Sequence, residues 1–333
     1  DADGVTSTAL LYSYLETIDA NAMYYIPSRE TEGYGMNKNA VDKLNERGIK
    51  LIITVDNGIA AAQEVEYASS LGIDTVVTDH HMPSGELPKA CAVVDLHRED
   101  CKSRFKNLSG VGVAFKLIMA LEGEYCDTTT LLENYSDLLS IGTIGDVVEL
   151  KDENRVFVKH GLESITNTDR PGLQALIKDS GLTGKAISST NVSFTIVPRI
   201  NAAGRLGLSE KSVSLLLTED YEKADEISAQ LCCDNSERQE IERDILEKID
   251  EIIRRKPSLV NDKIIVIDGE NWHQGVIGLI AAKVKEAYGK PAIVISKLGD
   301  IAKGSGRSVE GFPLCDAVFA CSDLLTHRGG HRS

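Results

Sequence analysis

KLIITVDNGIAAAQEVEYASSLGIDTVVTDHH, residues 50–81, reads as one strand–helix–strand unit. KLIITVD (50–56) and DTVVTD (74–79) are short β-branched runs, each closed by an aspartate. Between them, IAAAQEVEYASSLG spaces its apolar residues as a helix does and stops on Gly72. Two strands joined by a helical crossover lie parallel in one sheet. The alternation continues on both sides. AMYYIP (22–27) and ACAVVD (90–95) read as further strands, and NAVDKLNERG (39–48) as a helix. SGVGVAFKLIMALEG (109–123) and TLLENYSDLLSIGTIGDVV (130–148) read as two more apolar helices. DADG (1–4) precedes the helical stretch TSTALLYSYLETI, which puts Asp1 and Asp3 in a strand-to-helix turn.

A second αβ pattern comes after a different kind of segment. Residues 219–256 carry Ile227, Leu231, Ile241, Ile245 and Ile249 at helical spacing in a dense Glu/Lys/Arg background. This predicts a long helix joining two domains. IIVID (264–268), VIGLIAAKVKEAYG, AIVIS (292–296) and a glycine-rich tail come after it.

Bulk properties bound the function classes. At 333 residues and 42% hydrophobic content the chain is long enough for two cores and is not of disordered composition. No apolar run reaches the roughly 18–20 residues of a membrane span, and the first residues are no signal peptide. Seven cysteines without CxxC spacing predict reduced thiols in a cytoplasmic protein. A net charge of −15 argues against nucleic acid only until its distribution is examined. From Leu259 to Ser333 nine Lys/Arg face eight Asp/Glu, so the acid excess lies before residue 259.

The aspartates carry the chemistry. In an open parallel sheet, ligands bind beyond the carboxyl ends of the strands. Asp56 and Asp79 end two strands, His80 and His81 come directly after the second, and Asp1 and Asp3 sit in a third turn. A lone Asp after a strand is more often a cap or turn residue than a ligand. Three such turns, one with two of the chain's seven histidines, fit a cation that neutralises clustered carboxylates. Asp146, in the apolar setting SIGTIGDVVEL, is a candidate last ligand. Oxygen donors with one or two imidazoles suit Mn²⁺, and Mg²⁺ less specifically.

DADG, VDNG, TDHH and GTIGD, in this order, resemble the four motifs of the DHH phosphoesterase superfamily. IPSRETEGYG (26–35), SGVGVAFKL (109–117), PRINAAGRLG (198–207), GENWHQGVIG (269–278), GSGRSVEGF (304–312) and RGGH (328–331) resemble segments of its RecJ exonuclease branch. The resemblance spans essentially the whole chain. It implies an α/β fold in which a parallel-sheet DHH domain (1–207) is joined by a helical segment (208–258) to a smaller α/β DHHA1 domain (259–333). It also implies a chain cut at both ends, short of its first strand, the rest of DHHA1 and an OB-fold.

The implied activity is a two-metal phosphodiesterase that degrades single-stranded DNA from a free 5′ end to nucleoside 5′-monophosphates, in DNA repair and recombination. Carried over by motif, Asp1, Asp3, Asp56, His80 and Asp146 hold two divalent cations, Mn²⁺ in preference to Mg²⁺, with Asp56 bridging. Asp79 orients a neighbouring ligand, and His81 contacts the scissile phosphate or its leaving oxygen. Arg29, Asn201, Arg205, Ser305, Arg307, Gly329, Gly330 and His331 bind substrate. The implied molecule is a monomer, with a single-strand-binding protein or a helicase as candidate partner. Trp272 and His273 read as packing at a turn rather than a base-stacking platform. Two other readings share these motifs: a DHH phosphodiesterase of short oligonucleotides or cyclic dinucleotides, and a catalytically silent nucleic-acid scaffold.

Overall fold

The computed structural model describes residues 1–27, 35–83 and 85–326. The chain divides into two compact units, Asp1–Asn235 and Ser236–Ser333. The division falls inside one helix, so each unit is described by itself.

In the first unit, β1 (Leu51–Thr54), β2 (Asp74–Asp79) and β3 (Ala92–Asp95) form a parallel sheet in the order β1-β2-β3. α1 (Ala2–Thr17), α2 (Lys38–Glu46) and α3 (Ala62–Ser70) belong to the αβ alternation. Asp1 is the N-cap of α1, and Asp3 lies inside its first turn rather than in a loop before it. The sheet register sets Asp79 beside Asp95, so the carboxyl ends of β2 and β3 are level. AMYYIP forms no strand. Tyr24 instead turns its ring edge-on to Tyr12 of α1, with 5.2 Å between centroids. Among the described residues no strand pairs with this segment or with the outer edge of β1. A groove of about 590 Å³ lies between them.

A helical layer completes the unit: α4 (Gly110–Glu122), α5 (Thr128–Gly145), α6 (Asp152–Thr166) and α7 (Pro171–Asp179). A short α8 (Ser189–Asn191) and a π-helical turn (Val192–Ile196) lead into α9 (Val197–Arg205), and then α10 (Ser209–Leu217). Leu10 of α1, Phe115 and Ile118 of α4 and Leu138 and Leu139 of α5 are fully buried in one core. Gly161 of α6 lets that helix lie directly on α5. A Cβ at 161 would stand 2.1 Å from the Ser136 carbonyl oxygen and 2.3 Å from the Ser140 Cβ. The buried Asp137 of α5 meets Arg170 Nε at 2.6 Å, and Arg170 Nη2 donates to the Asn134 carbonyl at 2.9 Å. This ties the entry of α7 to α5.

α11 (Tyr221–Arg255) is the long helix expected, and it runs through the division between the units. In the second unit β4 (Ile265–Glu270) pairs parallel with β5 (Ala292–Leu298). β6 (Ile301–Arg307) pairs antiparallel with β5. α12 (Ile277–Tyr288) packs on this sheet, and α13 (Leu314–Ala320) comes after it in the chain. The glycine-rich GSGRS is therefore not a loop. Ser305 and Arg307 stand in β6 opposite Val294 and Ala292. Trp272 is 5% exposed and lies under Gly269, as a packing residue would.

Urea midpoints at constant slope test this packing. Gly161→Ala should cost about 3 kcal/mol, because neither Ser136 nor Ser140 can withdraw without moving α5. Arg170→Met should cost about 3 kcal/mol by leaving the Asp137 carboxylate buried without its partner, and adding Asp137→Asn should recover part of the loss.

Candidate metal centre

The centre forms where chain reversal at the ends of β1 and β2 meets the N-termini of α1 and α4. VDNG makes a tight turn after β1, with Asp56 itself in the left-handed region at φ 57°. Asparagine and aspartate tolerate that conformation better than other side chains do. Two carboxylate positions then depend on glycines. A Cβ at Gly110 would sit 2.6 Å from the Cβ of Asp56, so only glycine lets α4 begin there. A Cβ at Gly142 would meet Thr6 Oγ1 at 2.3 Å and Asp3 Oδ1 at 2.9 Å.

Asp3 is buried and accepts from two backbone N–H groups of α4, Gly110 to Oδ2 at 2.6 Å and Val111 to Oδ1 at 2.8 Å. The first turn of a helix favours an anion in this place. Ser109, the N-cap of the same helix, exchanges a hydrogen bond with Thr143 of α5 at 3.0 Å. Sequence reading missed these supports. The signal for them was the Ser-Gly-x-Gly start of an apolar helix.

His80 stands at the middle of the cluster. Its Nε2 is 3.1 Å from Asp56 Oδ1 and 3.7 Å from Asp3 Oδ2, and its Nδ1 is 3.7 Å from Asp146 Oδ2. Donor atoms of Asp3, His80 and Asp146 lie within 4.8 Å of one another, as do those of Asp56, His80 and His81. Asp146 reaches the cluster as the C-cap of α5. Asp1 is exposed, with Oδ1 accepting from Gly4 N at 3.2 Å, and it belongs to neither trio.

Asp79 faces the other way and holds the turn together. Its Oδ2 accepts from Ile59 N at 2.9 Å, and its Oδ1 accepts from His80 N at 2.8 Å. Oδ1 also takes the N–H of His81 at 3.2 Å and meets its Nδ1 at 2.7 Å. Burial pushes the Asp79 carboxyl up, but the bonds from His81 and Ile59 outweigh it and hold it below its ordinary value. The same bond raises His81. Nδ1 of His81 is thereby committed to Asp79.

The donor chemistry suits divalent cations. Among the described residues no Lys or Arg forms an ion pair with Asp3, Asp56 or Asp146. Burial first, then the charges of Asp56 and Asp146, drives Asp3 well above the usual carboxylate value. Burial also raises Asp146. Burial alone would depress His80, but the Asp56 hydrogen bond and the surrounding carboxylates push it up to about 9. The cluster thus gathers protons where cations would relieve it, and its oxygens and imidazoles match hard or borderline metals.

The other expected binding residues belong to neither ligand trio. In the first unit, Asn201 and Arg205 are on α9, and Asn201 Oδ1 is enclosed without a hydrogen-bond partner. In the second unit, Ser305 and Arg307 lie against the start of α12. A Cβ at Gly278 would stand 3.1 Å from Ser305 Oγ and 3.2 Å from Arg307 Nη2. Arg307 Nη1 donates to Ser305 Oγ at 3.3 Å. His273 Nδ1 accepts from Gly275 N at 3.1 Å. Arg29, Gly329, Gly330 and His331 fall outside the described residues.

Known proteins resemble this chain in both of its parts. The model of the DHH family, N-terminal domain, matches residues 1–143, and that of the DHHA1 domain matches residues 261–333. The chain is 42% identical to the single-stranded-DNA-specific exonuclease RecJ of Bacillus subtilis, over 99% of this chain and 41% of that protein. It superimposes on a crystal structure of exonuclease RecJ bound to manganese with a TM-score of 0.84 and 35% identity, covering 100% of this chain and 82% of that one. A structure of RecJ from Thermus thermophilus in complex with Mg²⁺ gives a TM-score of 0.73 and 32% identity, over 100% of this chain and 44% of that one. No helix among the described residues is long and apolar enough to cross a membrane. Carrying both domains in one α/β chain, with the acidic and imidazole donors of its motifs gathered at one sheet edge, the protein belongs to the RecJ family.

Proposed function

We propose that this chain carries the phosphodiesterase centre of a single-stranded-DNA-specific exonuclease, which works from a free 5′ end and releases nucleoside 5′-monophosphates. The observation that carries the reading is the convergence of Asp3, Asp56, His80 and Asp146, from four separate segments, within bonding range of common points. Asp1, Asp3, Asp56, His80 and Asp146 would hold two divalent cations, with Asp56 shared, and Mn²⁺ is the preferred metal with Mg²⁺ as substitute. When bound, they supply Lewis acidity to the phosphate and to the attacking water.

The remaining steps belong to the chain itself. Asp79 fixes the backbone of His80 and His81 and the ring of His81, so the His81 imidazole would meet the substrate, and that of His80 the cations, in set orientations. His81 then contacts the scissile phosphate through Nε2 and donates to the 3′ oxygen as it departs. Asn201 and Arg205 in the first unit, and Ser305 and Arg307 in the second, bind DNA phosphates. Arginine offers paired donors for this, and the start of α12 offers backbone N–H groups. Arg29, Gly329, Gly330 and His331 complete the substrate set. Residues 1–207 form the DHH domain, 208–258 the connection and 259–333 the DHHA1 domain. The protein acts as a cytoplasmic monomer in DNA repair and recombination, with a single-strand-binding protein or a helicase as partner.

The chain's RecJ relatives are longer than it, so the substrate is the first thing to measure. With Mn²⁺, a 5′-phosphorylated single strand should be hydrolysed in preference to its duplex and to a cyclic dinucleotide; preference for either of those sinks the reading. Asp56→Asn and His80→Ala should abolish cleavage, and Asp79→Asn should reduce kcat/KM about 10–100-fold. Thermal melting checks the metal assignment without turnover. Mn²⁺ should raise the wild-type melting temperature. Asp146→Asn should melt no lower than wild type in EDTA, having lost a half-buried charge that repels Asp3, and should gain little from Mn²⁺.

A further inference from the structure

The Asp-x-His arrangement of Asp79 and His81 is repeated on the neighbouring strand. Asp95 closes β3 in register with Asp79, and His97 stands at the same spacing from Asp95 as His81 does from Asp79. The first bond of the device is already made, since His97 N donates to Asp95 Oδ1 at 2.7 Å. The second is open: His97 Nδ1 stands 3.8 Å from Asp95 Oδ1, where His81 Nδ1 stands 2.7 Å from its aspartate. A turn alone would account for the backbone bond. It does not account for Asp95 Oδ2 and His97 Nδ1, which are both enclosed without a hydrogen-bond partner.

An enclosed imidazole nitrogen held just short of a buried carboxylate is unfavourable until the bond between them closes. Asp95 is 4% exposed, whereas the His97 side chain keeps 22% of its surface. Nδ1 is enclosed, so the open part of the ring lies away from Asp95. Neighbouring strands are about 4.8 Å apart. The His97 turn therefore flanks the His81 turn on the side of the sheet away from β1 and Asp56. Arg98 is not available there, because its guanidinium is spent on Asp100 and the Val93 carbonyl.

We propose that His97, oriented by Asp95, binds a phosphodiester adjoining the scissile one, so that two parallel Asp–His pairs grip consecutive phosphates of the same strand. An imidazole can bridge two oxygen acceptors by turning one ring nitrogen to each. Arrival of the phosphate at Nε2 thus also closes the open bond between Nδ1 and Asp95. His97 is a binding residue under this assignment, and Asp95 is its positioning residue. The inference rests on the single-strand reading given above.

The test uses binding as well as turnover. Affinity for a 5′-phosphorylated oligonucleotide, measured by fluorescence anisotropy in EDTA, should fall about tenfold in His97→Ala. His97→Gln, which retains a donor, should recover part of it, and Asp95→Asn should give a smaller loss than His97→Ala. With Mn²⁺, His97→Ala should raise KM with little change in kcat. Neutral methylphosphonate linkages placed one at a time beside the scissile phosphate give the discriminating measurement. At one position the wild type should lose as much affinity as His97→Ala does, and the two changes should not add. Unchanged affinity in His97→Ala, or additive losses at every position, would overturn the proposal even if the wild type degrades single strands. A wild type that ignores single strands would instead overturn the functional reading.

Discussion

Asp3 takes the first two N–H groups of α4 on its two carboxylate oxygens, and the candidate centre is assembled around that junction. The partners are 107 and 108 residues apart in sequence, so the bonds join the start of the αβ alternation to the helical layer. They favour the ionised form of Asp3, against the burial and the neighbouring Asp56 and Asp146 charges that oppose it. They also bring the N-terminus of α4 so close to Asp56 that position 110 can carry no side chain. Once α4 is seated there, Ser109 meets Thr143, and α5 delivers Asp146 from its far end. Sheet, helices and carboxylates are therefore placed by one arrangement rather than by separate ones.

The sheet supplies the complementary constraint. Parallel strands end level, and a polar side chain at each end is carried to the same edge. Hydrogen bonds across that edge then hold the turns beyond it, from Ile59 N to Asp79 and from Thr78 Oγ1 to the Thr54 carbonyl. The two imidazoles can differ in role although they are adjacent in sequence. His80 faces Asp56, Asp3 and Asp146, while His81 is tied back to Asp79.

Much of this was legible because it is local. DTVVTD is the observed β2 residue for residue, and KLIITVD and ACAVVD contain β1 and β3 with ragged ends. The helix stops at Gly48 and Gly72 also agree with the structure. AMYYIP failed for the opposite reason: aromatic and β-branched residues favour a strand only where a neighbour offers hydrogen bonds. The glycine-rich stretch holding GSGRS is the opposite case, a strand with few strand-forming residues. The free edge of β5 supplied a partner, and Gly304 and Gly306 let β6 lie beneath Ile293, Ile295 and Leu314. The helices α6 to α10 were not read, although α6 buries one stripe at helical spacing, Phe157, Val158, Gly161 and Ile165. The meeting of Asp3 with Gly110 joins segments 107 residues apart, and the Ser-Gly-x-Gly start of α4 marks only one side of it. Its legibility came from motif resemblance.

The left-handed backbone at Asp56 has a consequence for how such a centre can change over time. A residue there must satisfy a backbone demand and a charge demand, and these can be separated. Asparagine meets the first without the second, and glycine meets it more easily still. Loss of the charge removes repulsion from the buried cluster, so a chain drifting in this direction keeps its architecture while its chemistry lapses. At this position, selection for folding alone would not preserve the aspartate.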